Sequence, residues 1–247
     1  MDIVETLPLI KINTDAEIRR EPISEDEDCV IVDNFLQNPN EIVEFACRHA
    51  SDFSIPERSY PGLLLDIQDD AMTDIYRYIR FEMSKHFAFL KGGMKLSTNL
   101  SMASMQPNQL SNLQRVCHVD PRNRVDRFNY AALVYLFKNE KLGGTGFYRW
   151  KDRKLMEEAT AAELEDPAKG LAFLQEHFST FREPACYMTQ SNEIAELVAS
   201  VPARFNRLIF YSGDLPHSAS IASPELLATD FSQGRLTLNC FANVRRR

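Results

Sequence analysis

The sequence lacks the cysteine patterns that mark disulfide-stapled or zinc-binding proteins. Its 247 residues hold five cysteines, Cys29, Cys47, Cys117, Cys186 and Cys240, and no two are spaced as CxxC. This odd number argues against a disulfide framework and a zinc ribbon, and it is typical of free thiols in a reducing compartment. Long apolar runs are missing as well. No stretch approaches 18 apolar residues, which excludes a membrane-spanning helix.

An excess of basic residues is also absent. Lys and Arg number 28 against 35 Asp and Glu, a net charge of −7, so a broad nucleic-acid-binding face is not expected. The first residues carry acids where a secretory signal would carry bases. We therefore expect a cytoplasmic protein without nucleic-acid or membrane partners.

What is present is ordinary globular composition, with 44% hydrophobic and 26% charged residues. A chain of this length can bury a large core without covalent staples. No shift in composition divides it, and we therefore expect residues 1–247 to form one domain.

Residues 1–94 are predicted to hold a strand and supporting helices. The apolar run 29–33 is typical of a strand. A helix should follow to about residue 50, because Asn38, Pro39 and Glu41 form a helix-start signal. A second helix is predicted over 69–90, where apolar residues recur at helical spacing before Gly92 and Gly93.

The period changes after residue 94 from helical spacing to alternation. Strands are predicted at 95–104, 129–137, 207–212 and 235–241. Between them, residues 151–205 are rich in helix formers and are predicted to be a helical insertion that includes a helix at 192–201. The pattern predicts a mainly β fold with helical support, a sandwich or barrel.

The motif with most chemical content is His118-Val119-Asp120. On a strand, residues i and i+2 project to the same face, so an imidazole and a carboxylate would converge. One more histidine would complete a 2-His-1-carboxylate triad, which holds Fe(II) on one face and leaves positions open. The alternative is a surface histidine beside a turn aspartate.

His217 is the best candidate for the third ligand. It follows the predicted strand 207–212 and a turn at Gly213-Asp214, so it should begin or end a strand. The other histidines, His49, His86 and His177, fall in predicted helices. The alternative for His217 is a loop histidine that caps the turn.

Arg235 and Thr237 share one face of the last predicted strand. An arginine that points into a small barrel is a buried charge that needs an anionic partner. A dicarboxylate would match the guanidinium in a bidentate fork, and the threonine hydroxyl adds a donor. The alternative partner is one of the acidic residues of the chain itself.

Taken in chain order, these elements resemble the 2-oxoglutarate- and Fe(II)-dependent dioxygenases, in particular the prolyl-4-hydroxylase-like branch. The matching segments are His118-Val119-Asp120, Val134-Tyr135-Leu136, Gly143-Gly144-Thr145-Gly146-Phe147, His217 and Arg235. The resemblance implies a double-stranded β-helix, that is, a jelly-roll or cupin-like barrel.

The same resemblance implies the roles of these residues. His118, Asp120 and His217 would bind iron, and Arg235 would bind the distal carboxylate of 2-oxoglutarate, assisted by Thr237. Tyr135 falls where the family often places a tyrosine that binds this carboxylate, and its alternative is a core aromatic.

The reaction implied is oxidation of a C–H bond by O2, with succinate and CO2 as co-products. The substrate would be a small molecule or a peptidyl side chain. The presence of Asp120 favours hydroxylation over halogenation. The spacing of 18 residues from His217 to Arg235 is longer than usual, so the intervening segment must loop out. Two alternatives remain open: a catalytically inactive cupin-like ligand-binding protein, and an iron enzyme that does not use 2-oxoglutarate.

Overall fold

The computed structural model describes residues 7–56, 60–67, 69–87, 93–120 and 127–245. Within these residues the chain forms two antiparallel sheets with helices on both outer faces. The strands are β1 Glu17–Pro22, β2 Asp28–Asp33, β3 Gly62–Ile67, β4 Met94–Ala103, β5 Arg127–Tyr135, β6 Thr145–Trp150, β7 Ala195–Val201, β8 Arg207–Ser212, β9 His217–Ala219 and β10 Arg235–Arg245. The helices are α1 Pro39–Arg48, α2 Thr73–Phe81, α3 Arg153–Glu165 and α4 Pro167–His177.

The large sheet has the strand order β1-β2-β8-β5-β10-β4-β3. Strand β10 pairs with β4 on one side and β5 on the other, with Thr237 opposite both Ser101 and Tyr135. Because side chains alternate across a strand, Leu236 and Leu238 join the core beneath α1 and α2, whereas Arg235 and Thr237 face the small sheet.

The small sheet has the order β7-β6-β9, and the extended segment at His118 adds to its edge through a bridge to His217. A shared apolar cluster fills the space between the sheets. It combines Ala131, Ile209 and Tyr211 of the large sheet with Phe147 and Val201 of the small one. The predicted mainly β fold with helical support is confirmed, and the two facing antiparallel sheets form a jelly roll.

The N-terminal supporting helices differ in detail from the prediction. Asn38 stands at the start of α1, but its side chain caps no helical N–H group. It binds the Leu9 carbonyl and the Lys11 N–H instead, and thereby ties α1 to the preceding segment.

The single long helix predicted at 69–90 is wrong. Helix α2 is limited to Thr73–Phe81, between 3₁₀ turns at Asp69–Met72 and Met83–Lys85. The apolar stripe through Ile75, Ile79 and Met83 is buried as expected, but such spacing does not separate an α-helix from short 3₁₀ turns. Residues 88–92, which include Leu90 and Gly92, lie outside the described residues.

The predicted insertion at 151–205 is helical only in its first part, α3 and α4 with a 3₁₀ turn at Ser179–Arg182. The helix predicted at 192–201 is wrong, because β7 occupies Ala195–Val201 and pairs with β6. Asn192 accepts hydrogen bonds from the N–H groups of Ile194 and Ala195, a local turn that leads into the strand. Pairing in the sheet overrides the helix propensity of the segment.

All five cysteines are unpaired, as predicted, and Cys29, Cys117 and Cys240 are buried. None of the helices in the described part of the chain has the length and apolar character needed to cross a bilayer.

Candidate metal site

His118 and Asp120 are held against the segment that runs from Gly213 to His217. His118 and His217 exchange backbone hydrogen bonds of 2.9 and 2.8 Å, and the Asp120 N–H donates to the Gly213 carbonyl at 2.8 Å. The imidazoles and the carboxylate thereby meet, with one ligand atom from each residue within 4.8 Å of the others. The structure therefore brings together the three residues that were predicted as metal ligands.

The local hydrogen bonds fix how His217 faces this cluster. Its Nδ1 lies 2.8 Å from the Leu215 carbonyl oxygen, which can only accept, so Nδ1 carries the proton. The free lone pair on Nε2 then points to Asp120, whose Oδ1 lies 3.7 Å away. A metal-binding histidine is oriented in the same way, by a hydrogen bond from its other nitrogen.

Burial keeps the histidines neutral and makes the carboxylate costly to ionise. The pKa of His217 falls to about 4 because burial disfavours its charged form. The pKa of His118 also falls to about 4. The surrounding protein desolvates its charged form, and the neighbouring His217 lowers the pKa further, even though part of the His118 side chain is exposed. Burial raises the pKa of Asp120 to about 6. At neutral pH the cluster therefore holds two neutral imidazoles and a carboxylate.

These donors fit a divalent cation. The second carboxylate oxygen of Asp120, Oδ2, is buried and has no hydrogen-bond partner within the described residues. The Nε2 lone pair of His217 and the unpaired Asp120 oxygen thus lie in one buried cluster, an arrangement that is unfavourable without a cation. Nitrogen and carboxylate ligands in this 2:1 ratio suit Fe(II) and similar metals.

Gly213 makes room for Asp120. A Cβ atom on this residue would lie 2.7 Å from Asp120 Oδ2 and 2.9 Å from Asn129 Nδ2. The Gly213 N–H donates to the Asn129 carbonyl, so the glycine also continues the pairing of β8 with β5. Its role as a spacer for the site was not predicted, although the sequence did place it in the turn before His217.

Arg235 lies at the other end of the space between the sheets and is almost fully buried, with 2% of its surface exposed. Its Nε donates to the carbonyls of Leu142 and Gly143 at 3.1 and 3.2 Å, and one terminal nitrogen donates to Gly144 at 3.0 Å. Within the described residues no carboxylate pairs with it. The predicted partner within the chain, an acidic side chain, is therefore missing from the part of the protein that the structure describes.

The two residues predicted to assist Arg235 lie beside it and hydrogen-bond to neighbours. The Thr237 and Ser101 hydroxyl oxygens are 2.8 Å apart, and the Tyr135 and Thr145 hydroxyl oxygens are 2.7 Å apart. Each pair holds two O–H donors and uses one, which leaves one donor per pair for a ligand. The positive charge of Arg235 acts on Tyr135 by lowering its pKa, although burial dominates and raises that pKa to about 12.

The other histidines stay apart from the cluster, as expected. His49 follows α1, and its Nδ1 lies 2.7 Å from Oδ2 of Asp52. His177 ends α4, and its Nδ1 lies 2.9 Å from the carbonyl oxygen of Phe173. His86 ends the 3₁₀ turn after α2.

Sequence reasoning missed Tyr211, whose ring packs edge-on against His217 with centroids 4.9 Å apart. The alternation of the segment Arg207–Ser212 was the available signal, because it places Tyr211 on the same face as Ile209.

Several solved structures are similar to this chain at low sequence identity. A prolyl-4-hydroxylase from Pseudomonas putida is 14% identical, with a TM-score of 0.43, over 89% of this chain and 92% of that chain. HygX from Streptomyces hygroscopicus, crystallised with nickel and 2-oxoglutarate, is 11% identical, with a TM-score of 0.44, over 88% and 82%. The non-heme alpha ketoglutarate dependent epimerase SnoN from nogalamycin biosynthesis is 13% identical, with a TM-score of 0.42, over 89% and 80%.

No curated protein matches the sequence. A family model matches residues 14–242, nearly the whole chain, and its description is a family of unknown function, DUF6445. The chain belongs to this family of unknown function.

Proposed function

We propose that this protein is a 2-oxoglutarate-dependent oxygenase whose Fe(II) is held by His118, Asp120 and His217. The observation that carries the proposal is the meeting of two imidazoles and one carboxylate, with one ligand atom from each residue within 4.8 Å of the others. Iron in such a site, with 2-oxoglutarate and O2, would supply the oxidising equivalent for attack on a C–H bond, giving succinate and CO2 as co-products.

Arg235 supports the choice of an anionic cosubstrate. Backbone carbonyls fix the orientation of its guanidinium without neutralising the charge, so the remaining N–H donors suit a carboxylate. Thr237 and the Tyr135–Thr145 pair add hydroxyl donors near the same end. The residues of the chain would therefore bind a diacid at both ends, at the metal and at Arg235.

The apolar cluster between the sheets would exclude water from this space. Phe137 lies beneath the Arg235 guanidinium, with the charge 5.5 Å from the ring centroid, and Phe147 lies next to His217 in register. A dry environment strengthens the charge pairing on which cosubstrate binding depends.

The reaction class and substrate are the finer part of the proposal. The carboxylate ligand Asp120 favours hydroxylation, because halogenation in related enzymes uses the position that a carboxylate would occupy. We propose a small molecule or a peptidyl side chain as substrate, within a single domain that spans the chain.

Metal binding is the first test. Anaerobic titration of the metal-free protein with Fe(II) should give one tightly bound ion per chain. The variants His118→Ala, Asp120→Ala and His217→Ala should each lose it, whereas His177→Ala, which removes a helix-end histidine outside the cluster, should bind as the wild type does. Equal metal binding by all four variants would refute the ligand assignment.

Cosubstrate use is the second test. The iron-loaded protein should convert 2-oxoglutarate slowly to succinate even without its substrate, and Arg235→Ala should weaken 2-oxoglutarate binding at least tenfold, as expected for the loss of a buried charge pair. An inactive binding protein would form no succinate, and an iron enzyme of another kind would show no dependence on Arg235.

A further inference from the structure

Tyr211 is a largely buried residue between the two sheets, and neither the metal ligands nor the Arg235 end of the site uses its hydroxyl. The residue is 3% exposed and lies on β8, on the face turned toward the small sheet. Within the described residues its hydroxyl forms no hydrogen bond. The hydroxyl is also not among the side-chain atoms of the described residues that are sealed from solvent without a partner, so it reaches accessible space, where a ligand can accept its hydrogen bond.

Tyr211 stands between the two ends of the proposed cosubstrate site. Its ring packs against His217 and also against Phe147, each with centroids 4.9 Å apart and in an edge-on arrangement. Burial is the main cause that raises the pKa of the phenol, and the charge of Asp120 raises it further whereas that of Arg235 lowers it. Tyr211 is therefore within electrostatic reach of both ends of the proposed site.

The packing around the ring fixes its position. Phe147 and His217 hold the ring from the small sheet, whereas its neighbour in register on β5 is Ala131, which has only a methyl group. A side chain that is already ordered loses little entropy when a ligand binds. The phenol is protonated at neutral pH and can donate one hydrogen bond.

We propose that the Tyr211 hydroxyl donates a hydrogen bond to the metal-proximal carboxylate of the bound 2-oxo acid. The inference rests on the proposed function. The metal-proximal end is favoured because Tyr211 contacts the proposed metal ligand His217 directly, whereas the hydroxyls nearest to Arg235 belong to other residues, Tyr135 and Thr237. Tyr211 is then a cosubstrate-binding residue in addition to Arg235.

The variant Tyr211→Phe removes the hydroxyl and keeps the ring against His217 and Phe147. Calorimetric titration of the Mn(II)-loaded protein with 2-oxoglutarate should show a Kd about tenfold higher than in the wild type, the loss expected for one hydrogen bond to a charged group. The Kd for Mn(II) alone should be unchanged. The matched control is Tyr78→Phe, since the Tyr78 hydroxyl also has no hydrogen-bond partner within the described residues, but its ring packs against Phe35 in the helix-side core.

A shorter 2-oxo acid locates the contact. Pyruvate has the metal-proximal carboxylate and lacks the distal one, so Tyr211→Phe should weaken pyruvate and 2-oxoglutarate by similar factors. Arg235→Ala should weaken only 2-oxoglutarate.

Each outcome supports or overturns a specific claim. An unchanged Kd for both acids in Tyr211→Phe overturns the inference and leaves the proposed function intact. A loss limited to 2-oxoglutarate overturns it too, because the hydroxyl would then serve the Arg235 end. If the wild type with Mn(II) binds neither acid, the proposed function fails together with this inference.

Discussion

At Gly213 the absence of a side chain lets the Asp120 carboxylate lie against β8. The atoms of Asp120 and Asn129 lie too close to this residue to leave space for a methyl group. Replacing Gly213 by alanine should therefore displace Asp120 and weaken Fe(II) or Mn(II) binding at least tenfold, since changes to the residues that support metal ligands typically cost that much.

The control for Gly213→Ala is Gly93→Ala. A Cβ atom on Gly93 would meet no heavy atom within 4 Å, and this glycine lies directly before β4, in a different part of the chain. Metal titrations of the two variants should differ clearly. Wild-type metal affinity in Gly213→Ala would show that the carboxylate position does not depend on this glycine.

Asp120 itself should destabilise the metal-free protein. Its pKa in the fold is about 6, above its ordinary value of 3.8, so the stability that its protonated form contributes is present below about pH 4 and is lost as the pH rises through 6. At pH 7.5 the full difference corresponds to about 3 kcal/mol.

The variant Asp120→Asn removes this ionisation. In the presence of a chelator at pH 7.5 it should raise the free energy of unfolding by about 1–3 kcal/mol, and by less at pH 5, where the carboxylate of the wild type is largely protonated. Added metal should stabilise the wild type and leave the variant unchanged. Denaturant unfolding at the two pH values measures both effects, and a variant less stable than the wild type at pH 7.5 would contradict the assignment.

Among the strands and helices, the large sheet depends on a buried ion pair between β2 and β8. Arg207 donates two hydrogen bonds to Asp33, at 2.6 and 3.0 Å, and both side chains are more than nine-tenths buried. Strand β8 also leads into Gly213 and His217, so this pair supports the strand that positions the metal site. Loss of one partner leaves an uncompensated buried charge.

The variant Asp33→Asn should lower the free energy of unfolding by about 3 kcal/mol for this reason. The exposed pair between Arg20 and Asp28, which also belongs to the β1–β2 hairpin, provides the comparison. Asp28→Asn should cost less than about 1 kcal/mol, because exposed ion pairs contribute little. Equal losses in urea unfolding of the two variants would show that the buried pair has no special role.

The same elements show where sequence patterns are reliable. The predicted strand at 207–212 matches β8, because a short apolar run in a fully buried strand gives a clear signal. Strand β7 was predicted as a helix, because its Ala, Glu and Leu residues favour a helix locally and only the pairing with β6 makes it a strand. Strand β3 was missed, since its short run is defined by pairing with β4.

For the whole molecule, the candidate site was predictable because its ligands stand in a recognisable order along the chain, with His118 bridged to His217 at the start of β9. His118, Asp120 and His217 were named from their spacing and their place beside predicted strands, and the fold brings them together. The surroundings were less predictable. Tyr211 and Gly213 owe their position to packing in the folded protein, and neither belongs to a sequence motif that predicts its role.

The layers of the molecule explain why one end of the site is charged and the other binds metal. The space between the sheets has the His118–His217 bridge at one end and the turn that carries Leu142 and Gly143, bonded to Arg235, at the other. A ligand with an anionic group at each end would be attracted by a cation at the metal ligands and by the Arg235 guanidinium, whereas a neutral ligand would be attracted by neither.

A crystal structure of the protein with Mn(II) and 2-oxoglutarate, grown without O2, would decide whether the site binds both groups. We predict one metal ion in contact with His118, Asp120 and His217, and a 2-oxoglutarate molecule that reaches from this ion to the Arg235 guanidinium. A metal ion bound elsewhere, or a diacid out of reach of Arg235, would contradict the proposed function.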